Sequence, residues 1–435
     1  MSLQTILAQL QADVAALSNA VRSGATLVNP GDNLPSLLAS ATSGQVFVLD
    51  PLFAIDADII LTKPVTLQSA ADYGPARLNA PNLPTIRGAF DASQAPGTIL
   101  QGLKLVGLVK EATILNAGNN LVVNQCELVG SAIGQHRGIE LNNSKNVVIS
   151  KSLIHNIFSD VDAQAIAGDY DVFNLLVNDC YLEASGENVI FGGSDSPDSA
   201  SMPQDIQIMN CTLTKQIGWK TQSGVTVKNL FELKCAQRVR FSHNICSYAW
   251  PGGGQEGYGL VLTVRNQNGS SPWTVVEDVE IEDNIFSHTG GGINILGSDD
   301  TYSSGQMARI MIRRNQFIDI NPSVYGGSGR ELMIGNGPLQ LELNANLFSG
   351  VGVNSAITFT NAQPKNPNLN NQCYGLAITN CQFDEGDYGI FGDDASGLGK
   401  VAIDMYAQAY IWRNNAIKRG ASGRTITYPS GTVLI

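Results

Sequence analysis

Residues able to do acid–base chemistry lie on two neighbouring segments, NLFELK and GLVLTVRN. Glu232 and Lys234 are two residues apart, so in a β-strand both side chains lie on one face. If Leu260 and Leu262 of the next segment face inwards, Arg265 lies on that same outer face, one strand spacing away. An acid, an amine and a guanidinium together could neutralise a sugar carboxylate and help to remove a C5 proton, provided that a pKa is lowered. The alternative is an ordinary salt-bridge ladder on a sheet face.

Aspartates form a second set of candidate catalytic residues. Hydrolysis of a glycosidic bond needs two acids, about 5 Å apart for retention and about 6.5–9.5 Å apart for inversion. Calcium, which takes oxygen ligands, is the one cofactor that such acids could bind; the four scattered histidines predict no other metal site. The alternative is turn chemistry, because Asp bonds to its own backbone in turns. The aspartates that follow strand-like segments are Asp195, Asp299, Asp300, Asp393 and Asp394, of which Asp299 and Asp300 are the predicted catalytic pair.

Aromatic residues cluster beside these segments. Trp219, Trp250, Tyr258 and Trp273 lie in or next to the glycine-rich stretch SYAWPGGGQEGYG and the loop that follows it, where protruding loops are expected. Flat rings in exposed loops stack on sugar rings, so we predict that these four residues bind substrate. The alternative is that the rings cover a core.

From about residue 45 the chain is a repeat. Ten segments, such as NLVVNQCEL and DVEIEDNIF, share one pattern of strand, polar residue, small residue and apolar residue, mostly at intervals of about 31 residues. Asn side chains stacked about 4.8 Å apart at one bend can bond to one another as a polar ladder. The repeat predicts an all-β, single-stranded, right-handed parallel β-helix of about 11–12 coils, with a further strand per coil in segments such as GINILGSDD. The aligned small residues are Cys126, Ser152, Cys180, Cys211, Asn244, Asn284, Asn315, Asn346, Cys381 and Asn415.

These repeats, the asparagine column, and phrases such as GINILGSDD and VKNLFELK resemble right-handed parallel β-helix proteins of the pectin-lyase-like superfamily. The resemblance covers roughly residues 45–420, and it implies the fold and an action on polysaccharide. Asp299 and Asp300 resemble the aspartate pair of polygalacturonases, but the Gly-His-Gly turn and Arg-Ile-Lys stretch of that family are absent, as is the arginine-rich motif of pectate lyases. No family catalytic signature therefore transfers.

The first segment has a different pattern from the repeat. Its apolar residues follow the a/d spacing of a coiled coil, carried on helix-forming residues. We predict an α-helix in 1–23, a linker and cap in 24–44 and the β-helix in 45–435. A helix before a β-helix resembles phage tailspikes, which implies a homo-oligomer, a trimer, held together by this helix; the alternative is a helix that caps the open end of the solenoid. The a/d residues are Leu3, Leu7, Leu10, Val14, Leu17 and Val21.

Composition and charge limit the classes of function that are compatible with this sequence. A net charge of -12 argues against a nucleic-acid partner, and no apolar run is long enough to predict a membrane span. Seven cysteines without paired spacing are expected to be reduced and buried. No secretory signal is evident, which favours a virion or extracellular protein released by lysis. Three hypotheses follow: a phage-type tail or cell-surface protein that binds polysaccharide, with or without degrading it, a soluble polysaccharide lyase or glycoside hydrolase, and a non-catalytic structural virion protein.

Overall fold

The computed structural model describes residues 24–71, 82–110, 112–360, 369, 371–393 and 397–435. Across these residues the chain winds through three long sheets whose neighbouring strands are parallel. Each coil adds a strand to sheet 1, then to sheet 2, then to sheet 3, before the next coil begins. The predicted parallel β-helix is therefore confirmed. The helix predicted for 1–23 lies outside the described residues.

The three sheets have sixteen, fourteen and twelve strands. The strands of sheet 1 are Thr26–Val28, Gln45–Leu49, Val65–Ser69, Ile99–Gln101, Val122–Asn124, Ser144–Ser150, Val172–Asn178, Gln204–Met209, Ala236–Ser242, Val276–Glu282, Ala308–Arg313, Leu339–Asn344, Cys373–Tyr374, Ala377–Thr379, Ala407–Gln408 and Ile411–Arg413. Those of sheet 2 are Ala54–Asp56, Thr85–Arg87, Lys104–Val106, Glu127–Val129, Leu153–Ile157, Tyr181–Ala184, Thr212–Thr214, Ile245–Ala249, Ile285–Thr289, Gln316–Ile320, Leu347–Gly350, Gln382–Asp384, Asn415–Lys418 and Thr432–Leu434. Those of sheet 3 are Ile59–Ile60, Phe90–Asp91, Thr113–Asn116, Arg137–Glu140, Gln164–Gly168, Val189–Phe191, Phe231–Leu233, Tyr258–Thr263, Gly291–Leu296, Arg330–Gly335, Ser355–Thr360 and Ile390–Gly392.

Short elements lie outside these sheets. Among the described residues, α-helices span Leu34–Ala39, Pro322–Tyr325 and Lys400–Tyr406, and 3₁₀ turns span Ser199–Ser201 and Ile217–Lys220. An antiparallel pair joins Pro251–Gly252 to Gln255–Glu256. In the part of the chain that the structure describes, none of the helices combines the length and the apolar character that a membrane crossing requires.

The start of the solenoid lies within the predicted linker and cap. Thr26–Val28 pairs in parallel with Gln45–Leu49, so sheet 1 begins before residue 45. In the α-helix Leu34–Ala39, which lies between these two strands, Leu34 and Leu38 are buried against the first coils. The segment 24–44 is therefore packed onto the end of the solenoid.

The corner between sheets 1 and 2 contains the predicted polar ladder. Asn284 donates its backbone and side-chain N–H groups to Oδ1 of Asn315, at 3.0 and 2.9 Å. Asn315 donates in the same way to Asn346, at 3.0 Å for both bonds. The residue before each ladder position makes the sharp bend, as Arg314 does with φ of 56°. The ladder thus satisfies buried backbone groups at a corner where strand pairing is interrupted.

The core runs the length of the solenoid inside the three sheets. Phenylalanines of successive coils stack with ring centroids 4.8 Å apart, from Phe286 through Phe317 and Phe348 to Phe383. This distance is the strand spacing itself, so each coil places its ring on the ring below. All seven cysteines are buried and free, as predicted, and all except Cys235 lie in this core.

Candidate functional site

The outer face of sheet 3 is the floor of a groove, which we call the sheet 3 groove. Loops at the corner between sheets 2 and 3 form one side, and loops at the corner between sheets 3 and 1 form the other. Outward-facing residues of this face such as Ile190 and Val261 are only 6% and 1% exposed. The first set of loops is 158–163, 215–230, 250–257 and 321–329; the second is 192–203, 264–275 and 297–307.

Glu232 lies on this floor, because both of its strand neighbours face the core. Its buried carboxyl accepts a hydrogen bond on Oε2 from Asn229 Nδ2, at 2.9 Å. Lys234 shares the face, as the two-residue spacing predicts, with Nζ 3.9 Å from Oε1. Burial raises the pKa of Glu232 to about 7; the charge of Lys234 opposes this rise and that of Glu187 adds to it. This carboxyl can therefore exchange a proton near neutral pH.

Glu187 supplies a second buried carboxyl on the coil before Glu232. Gln164 Nε2 donates to its Oε2 at 2.8 Å, and Lys228 Nζ lies 3.3 Å from its Oε1. Lys228 also contacts Asp162. Burial lowers the pKa of Lys228, but the carboxylates of Glu187 and Asp162 outweigh burial and raise it above the ordinary value. Lys228 is therefore a fixed positive charge beside Glu187.

Unpaired polar atoms are concentrated on this face. In the described part of the chain, twelve buried side-chain nitrogen or oxygen atoms have no hydrogen-bond partner, and seven of them belong to the floor of the sheet 3 groove, although one of the seven, Glu187 Oε1, has the ammonium group of Lys228 at 3.3 Å. These seven lie on five of six successive coils, a length of roughly 24 Å at one strand spacing per coil. Buried polar groups are normally bonded, so a concentration of exceptions indicates a site for a polar ligand. The seven residues are Arg137, Glu140, Gln164, Glu187, Asn229, Glu232 and Asn294.

A buried lysine holds the chain where it enters the floor. Lys215 donates to the carbonyl oxygens of Ala184, at 3.0 Å, and Gly186, and to Oδ1 of Asn188, at 2.8 Å. Burial lowers the pKa of Lys215 to about 7, against the opposing charge of Glu187. These bonds fix the corner immediately around Glu187 and so position its carboxyl.

The predicted convergence of three groups is observed for Glu232 and Lys234 but not for Arg265. The neighbouring strand ends at residue 263, so Arg265 lies beyond it, in the corner leading to sheet 1. Its guanidinium contacts Asp300 and lies 3.6 Å from Asp299. The prediction assumed that the strand continued past residue 263.

Two of the candidate aspartates, Asp299 of the predicted catalytic pair and Asp195, have structural partners. Asp299 accepts hydrogen bonds from the backbone N–H groups of Thr301 and Asn266, each at 2.6 Å. Asp195 accepts from the backbone N–H of Ser270 at 2.9 Å and from its hydroxyl at 2.6 Å. Both carboxylates thus organise loops, in agreement with the turn chemistry considered as the alternative.

Metal binding was the other use considered for the aspartates. Asp393 lies 3.8 Å from Arg330, and Asp394 falls outside the described residues. Within the ranges that the structure describes, no three or more His, Cys, Asp or Glu side chains are grouped in a way that could hold a metal ion.

Most of the predicted sugar-stacking rings are covered. Trp219 is 3% exposed, Trp250 5% and Tyr258 1%, so their faces are not available for stacking. Trp219 and Trp250 pack with Tyr325 and Val227 in a cluster outside the solenoid core, which we call the aromatic wall. Trp219 and Trp250 lie in loops at the corner between sheets 2 and 3, so their rings form one side of the groove and do not line its floor.

Trp273 is the partly exposed member of the predicted set. It lies on the opposite side of the groove, where it packs against Met202, Cys235 and Val275. Its Nε1 donates to Ser196 Oγ at 2.8 Å. Of the four rings, Trp273 alone keeps some surface that a ligand could contact.

Sequence reasoning missed Glu187, Lys228, Asn229 and Lys215. Glu187 and Asn229 each lie two residues before a sheet 3 strand, in GENVIF and KNLFEL. An alignment of the sheet 3 segments with the residues that precede them would have shown this polar column. Lys215 gives no such signal, because its partners lie on another coil.

A charged depression on sheet 1 differs from the groove. It has a volume of about 580 Å³ and is lined by Arg238, Arg240, Asp278 and four neighbours. Arg238 Nε lies 2.7 Å from Asp205, and Arg240 Nη2 lies 2.6 Å from Glu282. Its charges therefore neutralise one another, whereas the sheet 3 groove retains unpaired groups.

Comparison with known proteins shows a shared fold. No family model matches the chain, and no curated protein matches it. The catalytic unit of a thermostable GH87 α-1,3-glucanase from Streptomyces thermodiastaticus strain HF3-3 superposes with a TM-score of 0.58 and 13% identity, over 95% of this chain and 69% of that one. A GH87 α-1,3-glucanase catalytic-domain variant in complex with tetrasaccharides gives 0.52 and 12%, over 95% and 66%. Dettilon tailspike protein gives 0.46 and 12%, over 94% and 68%.

This chain thus spans about two thirds of the length of the glucanase chains that it matches. It shares with them a parallel β-helix fold, as the sequence predicted.

Proposed function

We propose that the protein binds an extended polysaccharide in the sheet 3 groove, with the glycan running along the solenoid axis. The observation that supports this proposal is the row of buried, unpaired polar atoms on five of six successive coils. A polysaccharide offers hydroxyl groups, each both donor and acceptor, at every sugar along its length. The hydroxyl groups of such a ligand could bond both to unpaired donors of the protein, such as Arg137 Nε, and to unpaired acceptors, such as Glu232 Oε1.

The charges of the groove fit a glycan better than a nucleic acid. Its lysines and arginines are matched by carboxylates, as Lys228 is by Glu187 and Asp162. Nucleic-acid binding requires a surplus of positive charge, which a chain of net charge -12 does not supply. The α-1,3-glucanases that share the fold act on polysaccharide, and one was solved with tetrasaccharides, which adds support from protein architecture.

Asn294 offers a clean test of binding. Its Oδ1 is buried and has no hydrogen-bond partner among the described residues, so Asn294→Ala should not lower the stability. Loss of one hydrogen bond to the ligand should weaken binding by about 1–1.4 kcal/mol, roughly fivefold to tenfold. Affinity electrophoresis against bacterial surface and plant polysaccharides measures this, with Gln207→Ala on sheet 1 as the matched control. Equal affinity of both variants on every retained glycan would contradict the placement of the site.

The heptad spacing of residues 3–21 supports a finer proposal, that the protein is a phage-type tail or cell-surface protein working as a trimer in a virion or outside the cell. Sedimentation equilibrium of the full chain should then give a trimer, and deletion of 1–23 should give a monomer with an unchanged β-sheet spectrum. A monomeric full chain would exclude this assembly and leave a soluble glycan-binding protein.

A further inference from the structure

The unpaired atoms of the sheet 3 groove are almost all hydrogen-bond acceptors. Of the seven, only Arg137 Nε is a donor, whereas the other six are carboxylate or amide oxygens. One of the six, Glu187 Oε1, has Lys228 Nζ at 3.3 Å, and a proton on Glu232 would turn one more into a donor. Acceptors stay in the majority in either case, so the groove calls for a ligand that supplies hydrogen-bond donors.

This excess of acceptors follows from how the amides of the floor are used. Gln164 donates Nε2 to Glu187 at 2.8 Å, and Asn229 donates Nδ2 to Glu232 at 2.9 Å. Carboxylate oxygens accept hydrogen bonds, so each amide turns its nitrogen towards its carboxylate and its oxygen is left over. The orientation of both amides is thus set by their partners, and the free acceptors belong to the floor itself.

Acidic residues also outnumber basic residues along the groove. The floor strands from Arg137–Glu140 to Gly291–Leu296, their seven flanking loops, and Glu187 and Lys234 together contain ten Asp or Glu and six Lys or Arg. Four of the six basic groups contact a carboxylate, and the other two donate to backbone carbonyl oxygens. Within this described part of the chain, no basic group is therefore left to neutralise a sugar carboxylate, and an anionic glycan would meet carboxylates that repel it.

We propose that the polysaccharide bound in the sheet 3 groove carries free amino groups, as polymers of amino sugars do; this inference rests on the proposed binding function. A protonated amine brings three N–H donors and a positive charge, and it has no acceptor. It therefore matches both the unpaired acceptors and the excess of carboxylates. N-acetylation removes the charge and leaves one N–H donor, so the groove distinguishes glycans of one backbone by their amino groups.

The exposed carboxylates of the flanking loops are where amino groups make contact most directly. Glu256, in the loop 250–257 on one side, is 57% exposed, and Asp300, in the loop 297–307 on the other side, is 34% exposed. Arg330 lies 3.8 Å from Glu256, too far for a direct hydrogen bond. These two carboxylates can bind amino groups at the rim of the groove, where no buried side chain has to be exposed.

The test compares glycans that differ only in acetylation. Oligosaccharides of glucosamine and of galactosamine are each used with free amines and after complete N-acetylation, beside polygalacturonate. Binding of the full chain is measured by titration calorimetry at slightly acid pH, where the amines are protonated. On at least one of the two backbones, the free-amine form should bind about tenfold or more tightly than its acetylated form. The difference should shrink at high salt, because exposed charges are screened.

Matched variants separate the groove from the net charge of the chain. Glu256→Gln combined with Asp300→Asn removes two carboxylates of the groove, and Glu280→Gln combined with Glu342→Gln removes two from one outward column of sheet 1. The groove variant should lose about fivefold or more of its affinity for the free-amine form, and the sheet 1 variant less than about twofold. Circular dichroism should show the same β-sheet spectrum for both, since the groove side chains replaced are exposed.

The outcomes separate this inference from the proposed binding function. Equal binding of the free-amine and acetylated forms, or tighter binding of any neutral or anionic glycan, would overturn the requirement for amino groups and leave glycan binding standing. Equal losses for the two variants would show that amines bind the acidic chain as a whole, which would overturn the assignment to the groove. Failure of the wild-type protein to bind any glycan would remove the binding function, and this inference with it.

Discussion

Replacement of Asn315 by alanine should lower the free energy of unfolding by about 3–5 kcal/mol. The buried side chain donates to Ile281 O at 2.9 Å and to Asn346 Oδ1 at 3.0 Å. It also accepts the backbone and side-chain N–H groups of Asn284, at 3.0 and 2.9 Å. The four bonds contribute at least about 0.5 kcal/mol each, and a buried donor left without a partner costs about 1–3 kcal/mol more, which gives the total of about 3–5 kcal/mol. The backbone N–H of Asn284 has no alternative acceptor inside the corner, so the cost should fall at the upper end.

Urea unfolding followed by circular dichroism measures this loss, and two variants calibrate it. Asn315→Ser should lose less than alanine, because Ser152 at the equivalent position accepts the backbone N–H of Cys126 at 3.1 Å. Asn174→Gly removes an exposed amide bond of 2.8 Å at a residue with φ of 57°, which glycine adopts freely, and should cost under about 1 kcal/mol. A loss for Asn315→Ala no larger than for Asn174→Gly would refute the view that the buried ladder stabilises the solenoid.

Further predictions concern the groove. Because burial lowers the pKa of Lys215 to about 7, the folded protein releases that proton while the unfolded chain keeps it up to about pH 10. Stability should therefore rise by about 1.4 kcal/mol per pH unit above neutrality, and Lys215→Met should lose this slope in urea melts; parallel slopes would disprove it. Trp219→Ala should open the aromatic wall and speed trypsin cleavage at Lys220, whereas an unchanged rate would show that the wall does not depend on this ring.

The fold could be predicted from the sequence because a position that stacks on its equivalents in neighbouring coils accepts only a few residue types. Asn at the bend between sheets 1 and 2 must bond both to its own coil and to the next, so the column of Asn244, Asn284, Asn315 and Asn346 appears directly in the sequence. The same segments did not predict that each of them is divided into two strands, one in sheet 1 and one in sheet 2. In DVEIEDNIF the first strand ends at Glu282 and the next begins at Ile285, so a corner of only two residues separates the two strands.

The site could be predicted from the sequence only where its geometry depends on residues close together in one strand. Glu232 and Lys234 share a face because a strand alternates, whatever the rest of the fold does. Arg265 lies on the coil next to Lys234, with its backbone N–H bonded to Lys234 O at 3.1 Å, but its guanidinium contacts Asp300, a partner that the alternation does not encode. The aromatic wall depends on longer connections still, since Lys220 contacts the carbonyl of Val324, 104 residues away. Burial of Trp219 follows from such contacts between loops of different coils.

The three faces of the solenoid differ in a way that stability alone does not explain. On sheet 1, exposed charges are paired across neighbouring strands, as Arg309 is with Asp278 at 2.6 Å. On the floor of sheet 3, seven buried polar atoms are left unpaired, and each such group costs about 1–3 kcal/mol. The same outward column accepts apolar residues at Ile190 and Val261, so the fold does not require polar side chains there. Polar residues that destabilise positions where apolar ones fit are best explained by a ligand that bonds to them, which is why we place the glycan over Glu187 and Glu232.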